Sequence, residues 1–163
     1  MVGAVRRHLR AGGVVVSAAS RRRGHDCERQ IVRYLKAEGF PDACTTRAKL
    51  GHDGATAPGD IDFHPLVCLE AKDVAGSAWP TWCRQAAAEA RPGMVPVVVR
   101  RTRGIPYVGQ WEIRAEWCGW VEAFGVLPAQ LTGMVREGVE VDGHAWLVAS
   151  MADLVAAVRG VDQ

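Results

Sequence analysis

Between positions 58 and 72 the chain alternates polar and apolar residues on either side of one short turn. It reads Pro58-Gly59-Asp60-Ile61-Asp62-Phe63-His64-Pro65-Leu66-Val67-Cys68-Leu69-Glu70-Ala71-Lys72. Successive side chains on a strand point to opposite faces. Ile61 and Phe63 therefore share one face, and Asp60 and Asp62 the other. Beyond the turn at His64-Pro65, Val67, Leu69 and Ala71 share a face, and Cys68, Glu70 and Lys72 take its opposite. Paired as a hairpin, the two runs collect the carboxylates and the lysine on one side of a small sheet. The apolar set is left to pack into a core.

Carboxylates gathered in this way repel one another, and one lysine only partly relieves them. A divalent cation does so fully, and Mg²⁺ favours one or two carboxylates completed by water and phosphate oxygens. An ion held there, with a lysine beside it, suits hydrolysis of a phosphodiester. Acid-x-lysine on a strand is also common on the wet face of a hairpin, so the three residues are weak evidence alone.

The flanking segments add to them. A helix is expected from about His25 to Gly39, with Ile31, Val32 and Leu35 as its apolar stripe and Gly39 as its stop. Glu28 lies four residues before Val32 and seven before Leu35, so it sits on the stripe. An acid there is either a frayed first-turn residue suited to the helix dipole or a third carboxylate aimed at the site. A second helix is expected from about Trp79 to Ala90, capped by Ser77, with Trp79, Trp82, Cys83, Ala86 and Ala90 inward and Gln85 flanking that stripe. Val95-Pro96-Val97-Val98-Val99 suits a buried strand and runs directly into Arg100, Arg101 and Arg103.

In this order the segments resemble the PD-(D/E)XK nuclease superfamily. Within it they are most similar to Holliday junction resolvases of the archaeal type and their relatives in phages of actinobacteria. The residues that carry the resemblance are Arg21 to Glu28, Tyr34 to Phe40, Gly59-Asp60-Ile61, Leu69-Glu70-Ala71-Lys72, Trp82 to Gln85 and Pro96 to Val99. The resemblance implies an α/β fold with a restriction-endonuclease-like core, a mixed β-sheet flanked by helices. It implies that Asp60 and Glu70 bind Mg²⁺, with Mn²⁺ as a substitute, and that Lys72 positions the nucleophilic water. Glu28 would complete the site directly or through water, and Gln85 would match a glutamine found on the helix after the lysine strand. Asp62 could stand in for Asp60 as ligand, although the ten-residue spacing to Glu70 favours Asp60. The implied substrate is a four-way DNA junction and the implied assembly a homodimer, because two symmetric cuts need two sites. The same core serves restriction-type, nicking and repair endonucleases, and a non-catalytic DNA-binding module is a further alternative.

Length and charge fit this reading. A chain of 163 residues suits one domain: an N-terminal arm or extra strand over 1–19, then a single domain over 20–163 with its core to about 110 and an extension beyond. Residues 1–50 hold eleven Lys/Arg against four Asp/Glu, and the remainder nine against fourteen. Basic residues hold a phosphate backbone; the candidates are Arg21, Arg22, Arg23, Arg47, Lys49, Arg100, Arg101 and Arg103. Five cysteines without a Cys-x-x-Cys pair predict reduced thiols and a cytoplasmic location, that of the host if the chain is phage-encoded. A zinc site from Cys44, His52 and His64 lacks the usual ligand spacing, and His52 better suits a loop near DNA. The apolar stretch Gly12 to Ala19 is too short to span a membrane, and the arginines after it argue against an export signal.

Later segments speak to fold alone. A strand is expected near Ala43–Arg47, followed by a loop from Gly51 to Pro58. Another strand is expected within Tyr107–Trp117, and a turn between short strands at 139–144. A last helix should run from Ser150 or Met151 to about Arg159. Trp111, Trp117 and Trp120 suit core or dimer packing better than stacking on bases.

Overall fold

The computed structural model describes residues 17–53, 58–125 and 138–162, with the backbone alone at 50–53 and 138. Helix α1 (Ala18–Ala37) leads to strand β1 (Cys44–Thr45), helix α2 (Thr46–Asp53), β2 (Ile61–Asp62) and β3 (Val67–Lys72). Then come α3 (Trp79–Glu89), β4 (Val95–Arg100), a 3-10 turn at Val108–Gln110, β5 (Glu112–Glu116) and α4 (Trp117–Phe124). The order closes with β6 (Gly138–Val141), β7 (His144–Ser150) and α5 (Met151–Val161). The described strands form one seven-stranded sheet, β1-β2-β3-β4-β5-β7-β6. Only β3 and β4 pair in parallel, joined over the sheet by α3; every other pair is antiparallel. The molecule is thus α/β, with a mixed sheet flanked by helices.

Alternation along the central strands sorts the two faces. Val67 and Leu69 of β3, Val97 and Val99 of β4, Ile113 of β5 and Leu147 of β7 point to the larger core. That core is closed by Ile31 and Leu35 of α1, Trp120 and Phe124 of α4, and Met151, Leu154 and Val158 of α5. The opposite face is covered by α3, whose Trp79, Trp82, Cys83 and Ala86 pack on Val98, Val141 and Trp146. The guanidinium of Arg114 lies 4.3 Å from the Trp79 ring centroid and that of Arg100 5.2 Å, closing this smaller core by cation–π contact. Trp111 and Trp120 are fully buried and Trp117 is partly so, as the core reading expected.

Several element boundaries differ from the sequence reading. Helix α1 begins seven residues earlier than His25, because Ser17 caps it by accepting from the Ser20 N–H at 3.1 Å. Arg21, Arg22 and Arg23 therefore belong to the helix, and Ala18 and Ala19 open it instead of ending an arm. The rest of that arm, residues 1–16, lies outside the described residues. The strand at 43–47 is only Cys44–Thr45, and the expected loop after it opens as helix α2, while 54–57 lie outside the described residues. Ser77 does not cap α3; the cap position is Ala78, without a side-chain bond, and proline opens the first turn. The turn between β6 and β7 places Asp142 and Gly143 at φ 52° and 82°, the pattern of a tight hairpin. Among the described residues no helix is long and apolar enough to cross a membrane.

Candidate metal centre

The site forms where β2 meets β3. Ile61 pairs with Leu69 across the two strands, so both reach the larger core. Asp60, one residue before β2, is fixed against β3 through both ends: its N–H donates to the Leu69 carbonyl at 2.8 Å, and its Oδ2 accepts the Ala71 N–H at 3.0 Å. Gly59 allows this approach. It takes φ +76°, and a Cβ there would meet the Leu69 carbonyl oxygen at 2.7 Å. Asp62 goes elsewhere, ion-paired to Lys49. Of the two acids, Asp60 is thus the one held against the Glu70 strand.

Glu70 points to the α3 face and is 2% exposed. Its Oε2 accepts from Lys72 Nζ at 2.8 Å and from Gln85 Nε2 at 3.3 Å. Lys72 Nζ also donates to Gln85 Oε1 at 3.0 Å, so the three side chains close a ring of hydrogen bonds. Burial, and then the charge of Asp60, push the Glu70 carboxyl up to about 7 against the pull of Lys72.

Glu28 of α1 is buried and close enough to Asp60 to feel its charge. Its Oε1 accepts from Arg47 Nη2 at 2.5 Å, and Arg47 also lies 2.6 Å from His25 Nε2. Burial raises the Glu28 carboxyl, Arg47 opposes it, and Asp60 adds to the rise. Asp60 thus stands electrostatically between Glu28 and Glu70.

Glu89, which the sequence reading missed, joins the site one helical turn beyond Gln85. Gln85 Nε2 donates to its Oε1 at 3.1 Å. Burial works against its charge, yet hydrogen bonds from Glu70, Gln85 and the Gly59 N–H hold Glu89 below the usual carboxylate range. The interaction between Glu70 and Glu89 raises the Glu70 carboxyl and lowers that of Glu89. The available signal was the four-residue spacing from Gln85, which places both on one helix face.

The expected basic residues separate into two groups. Arg47, Lys49, Arg100 and Arg101 are tied to Glu28, Asp62, Glu112 and Asp73, respectively. Arg21, Arg22, Arg23 and Arg103 are exposed and, among the described residues, ion-paired to no carboxylate. Of Cys44, His52 and His64, His64 lies against Asp162 at 3.4 Å, and the His52 side chain is outside the described residues. Cys27, Cys68 and Cys83 are buried free thiols, raised by burial to about 12, 12 and 11.

Among the described residues no three His, Cys, Asp or Glu side chains converge as a ready ligand set. The donors still fit Mg²⁺, which takes one or two carboxylates and leaves its other positions to water and phosphate. Asp60 and Glu70 supply two, and the burial and mutual repulsion that raise Glu70 are the strain a divalent cation relieves.

The fold and site together define an α/β protein with a crowded, buried carboxylate–lysine centre where β2 meets β3 in a mixed sheet. Neither a protein-family model, nor a curated protein, nor a solved structure matches the chain.

Proposed function

We propose that the chain is a metal-dependent DNA endonuclease with a restriction-endonuclease-like core that cuts branched DNA, a four-way junction in particular, as a homodimer. The observation that carries the reading is the meeting of Asp60, Glu70, Lys72 and Gln85 at one point of the sheet. Asp60 and Glu70 would hold Mg²⁺ or Mn²⁺, with Glu28 behind Asp60. Bound there, the ion supplies Lewis acidity at the scissile phosphate.

The chain's own residues do the rest. Lys72 has three N–H donors. Two are committed to Glu70 and Gln85, which leaves one for the attacking water or a phosphate oxygen. Gln85 holds the ammonium in place by accepting from it, and it steadies Glu70 and Glu89 through its amide N–H groups. In-line attack by the oriented water leaves a 5′-phosphate and a 3′-hydroxyl. Junction specificity and the dimer rest on the resemblance; the hydrolytic chemistry rests on the residues.

Purified protein incubated with four-way junction, flap and linear duplex in Mg²⁺ tests both parts. Paired symmetric nicks in the junction, with duplex spared, are expected, and Glu70→Ala should abolish them. Equal cutting of duplex and junction sinks the junction assignment. Binding to junctions without cleavage in either Mg²⁺ or Mn²⁺ sinks the enzyme and leaves a DNA-binding module.

A further inference from the structure

Beside the carboxylate centre, a cavity of about 470 Å³ opens between the start of α1 and the segment after β4. Arg23, Asp73, Arg101, Arg103 and Ile105 line it. We propose that this cavity is a phosphate-binding subsite, which seats a phosphate of the nucleic-acid strand near the one being cut. The proposal rests on the nuclease reading for its substrate and on the cavity's own charge for its ligand.

Three guanidiniums face one carboxylate. Asp73, its side chain 5% exposed, is spent on Arg101 at 3.1 Å. Arg101 is further fixed with its guanidinium 5.9 Å from the Trp111 ring centroid. That pair forms the neutral wall of the cavity. Arg23 and Arg103 have no carboxylate partner among the described residues, so the cavity keeps two uncompensated positive charges. Arg23 is bonded to Ser20 Oγ at 3.1 Å. Arg103 stands at the tip of a turn closed by the Ile105 N–H on the Thr102 carbonyl at 3.2 Å, with Gly104 at φ +81°. Two planar guanidiniums, neither taken up by a carboxylate among the described residues, match the tetrahedral oxygens of phosphate in charge and in geometry.

Position links the cavity to the site. Asp73 follows Lys72 in the chain, and the Arg101 N–H donates to the Lys72 carbonyl at 2.9 Å. At about 3.3 Å per strand residue, the Asp73 backbone lies about 10 Å along the chain from that of Glu70, and alternation turns its side chain to the other face of the strand. A nucleic-acid strand advances about 3.4 Å per nucleotide, so the seated phosphate lies about three or more nucleotides from the cut. It is either an internal diester or a terminal monoester.

The test has one arm without DNA and one with it. Inorganic phosphate should raise the melting temperature of the wild type and leave that of Arg23→Ala/Arg103→Ala unmoved. In Ca²⁺, to hold off cleavage, Arg103→Ala should reduce the slope of log affinity against log salt on junction DNA by about 0.9, the loss of one phosphate contact. Arg33→Ala, which removes an exposed arginine of the same helix outside the cavity and outside the candidate DNA contacts, should leave that slope in place. A 5′-phosphorylated oligonucleotide bound about tenfold more tightly than its hydroxyl twin, with the difference lost in Arg103→Ala, assigns the cavity to a strand end. Equal binding of the twins, with the slope change kept, assigns it to an internal diester. Identical slopes for Arg103→Ala and Arg33→Ala in a protein that cuts junctions overturn the subsite and leave the nuclease reading intact. Phosphate protection that needs Arg23 and Arg103, in a protein that never cuts, does the reverse.

Discussion

Lys72 and Glu89 make opposite demands on the same carboxylate. Lys72 donates to Glu70 and favours its charge, while Glu89 beside it raises the Glu70 carboxyl. Replacing Lys72 with Ala removes the only cation bonded to Glu70 among the described residues, together with the donor aimed at substrate. Cleavage should fall by about 10²–10³-fold, the usual loss for one charge-stabilising donor, with circular dichroism unchanged. Cleavage within a fewfold of wild type would remove Lys72 from the chemistry. Glu89 acts through others, as a positioning residue. Glu89→Gln replaces the charged acceptor beside Glu70 with a neutral, weaker one, so the Glu70 pKa should drop and the acid limb of the pH–rate profile should move to lower pH. The rate at the optimum should fall about 10–100-fold, as for other outer partners of metal ligands. An acid limb that stays in place would reduce Glu89 to a surface residue.

At the scale of elements, the turn into β2 decides whether the site exists. The positive φ of Gly59 and the 2.7 Å approach of its absent Cβ to the Leu69 carbonyl leave no room for a side chain. Gly59→Ala should therefore part Asp60 from β3, cost about 1–3 kcal/mol, and lower cleavage with it. Gly24, inside α1 with nothing within 4 Å of its would-be Cβ, is the counterpart. Gly24→Ala should stabilise by about 0.5–1 kcal/mol without touching activity. Thermal melts of the two variants check both, and a Gly59→Ala protein as stable as wild type would show that the β2–β3 approach tolerates a side chain.

Much of this architecture was legible in the sequence where periodicity is strong. The alternation of Val67 to Lys72, the apolar run at Val95 and the Met151-Leu154-Val155-Val158 stripe all became the elements their patterns predict. Helix α2 was not legible, because Thr46–Asp53 has only Ala48 and Leu50 as apolar residues and so shows no stripe. The site was legible as far as strand alternation reaches, through Asp60, Glu70 and Lys72. The Glu28–Arg47 bond was not, since its partners are nineteen residues apart on different elements and share no local pattern.

At the scale of the whole molecule, residues beyond 110 carry none of the site yet supply three of the seven strands and much of the larger core, through Ile113, Leu147, Leu154 and Val158. That mass holds β4, and through it β3, rigid enough to keep Glu70 out of water. The cost of that burial makes stability depend on pH and on divalent ions together. The Glu70 pKa lies at about 7 in the folded chain, above its ordinary 4.5. The folded state therefore binds this proton more tightly than the unfolded one. The stability it contributes is full below about pH 4.5 and is lost as pH rises to about 7. Glu28 is shifted in the same direction and adds to the slope. A cation that binds the ionised pair reverses the loss, by about 2.7 kcal/mol at a concentration one hundred times its dissociation constant. In EDTA, the melting temperature of wild type relative to Glu70→Gln should fall between pH 5 and pH 8. Mg²⁺ or Mn²⁺ should raise the wild-type melting temperature more at pH 8 than at pH 5, because ionised Glu70 is the form that binds. The gain should vanish in Glu70→Gln, which stays neutral throughout. An equal gain at both pH values, or one that survives the substitution, would place the ion away from Glu70 and remove the physical basis for a metal centre at the β2–β3 edge.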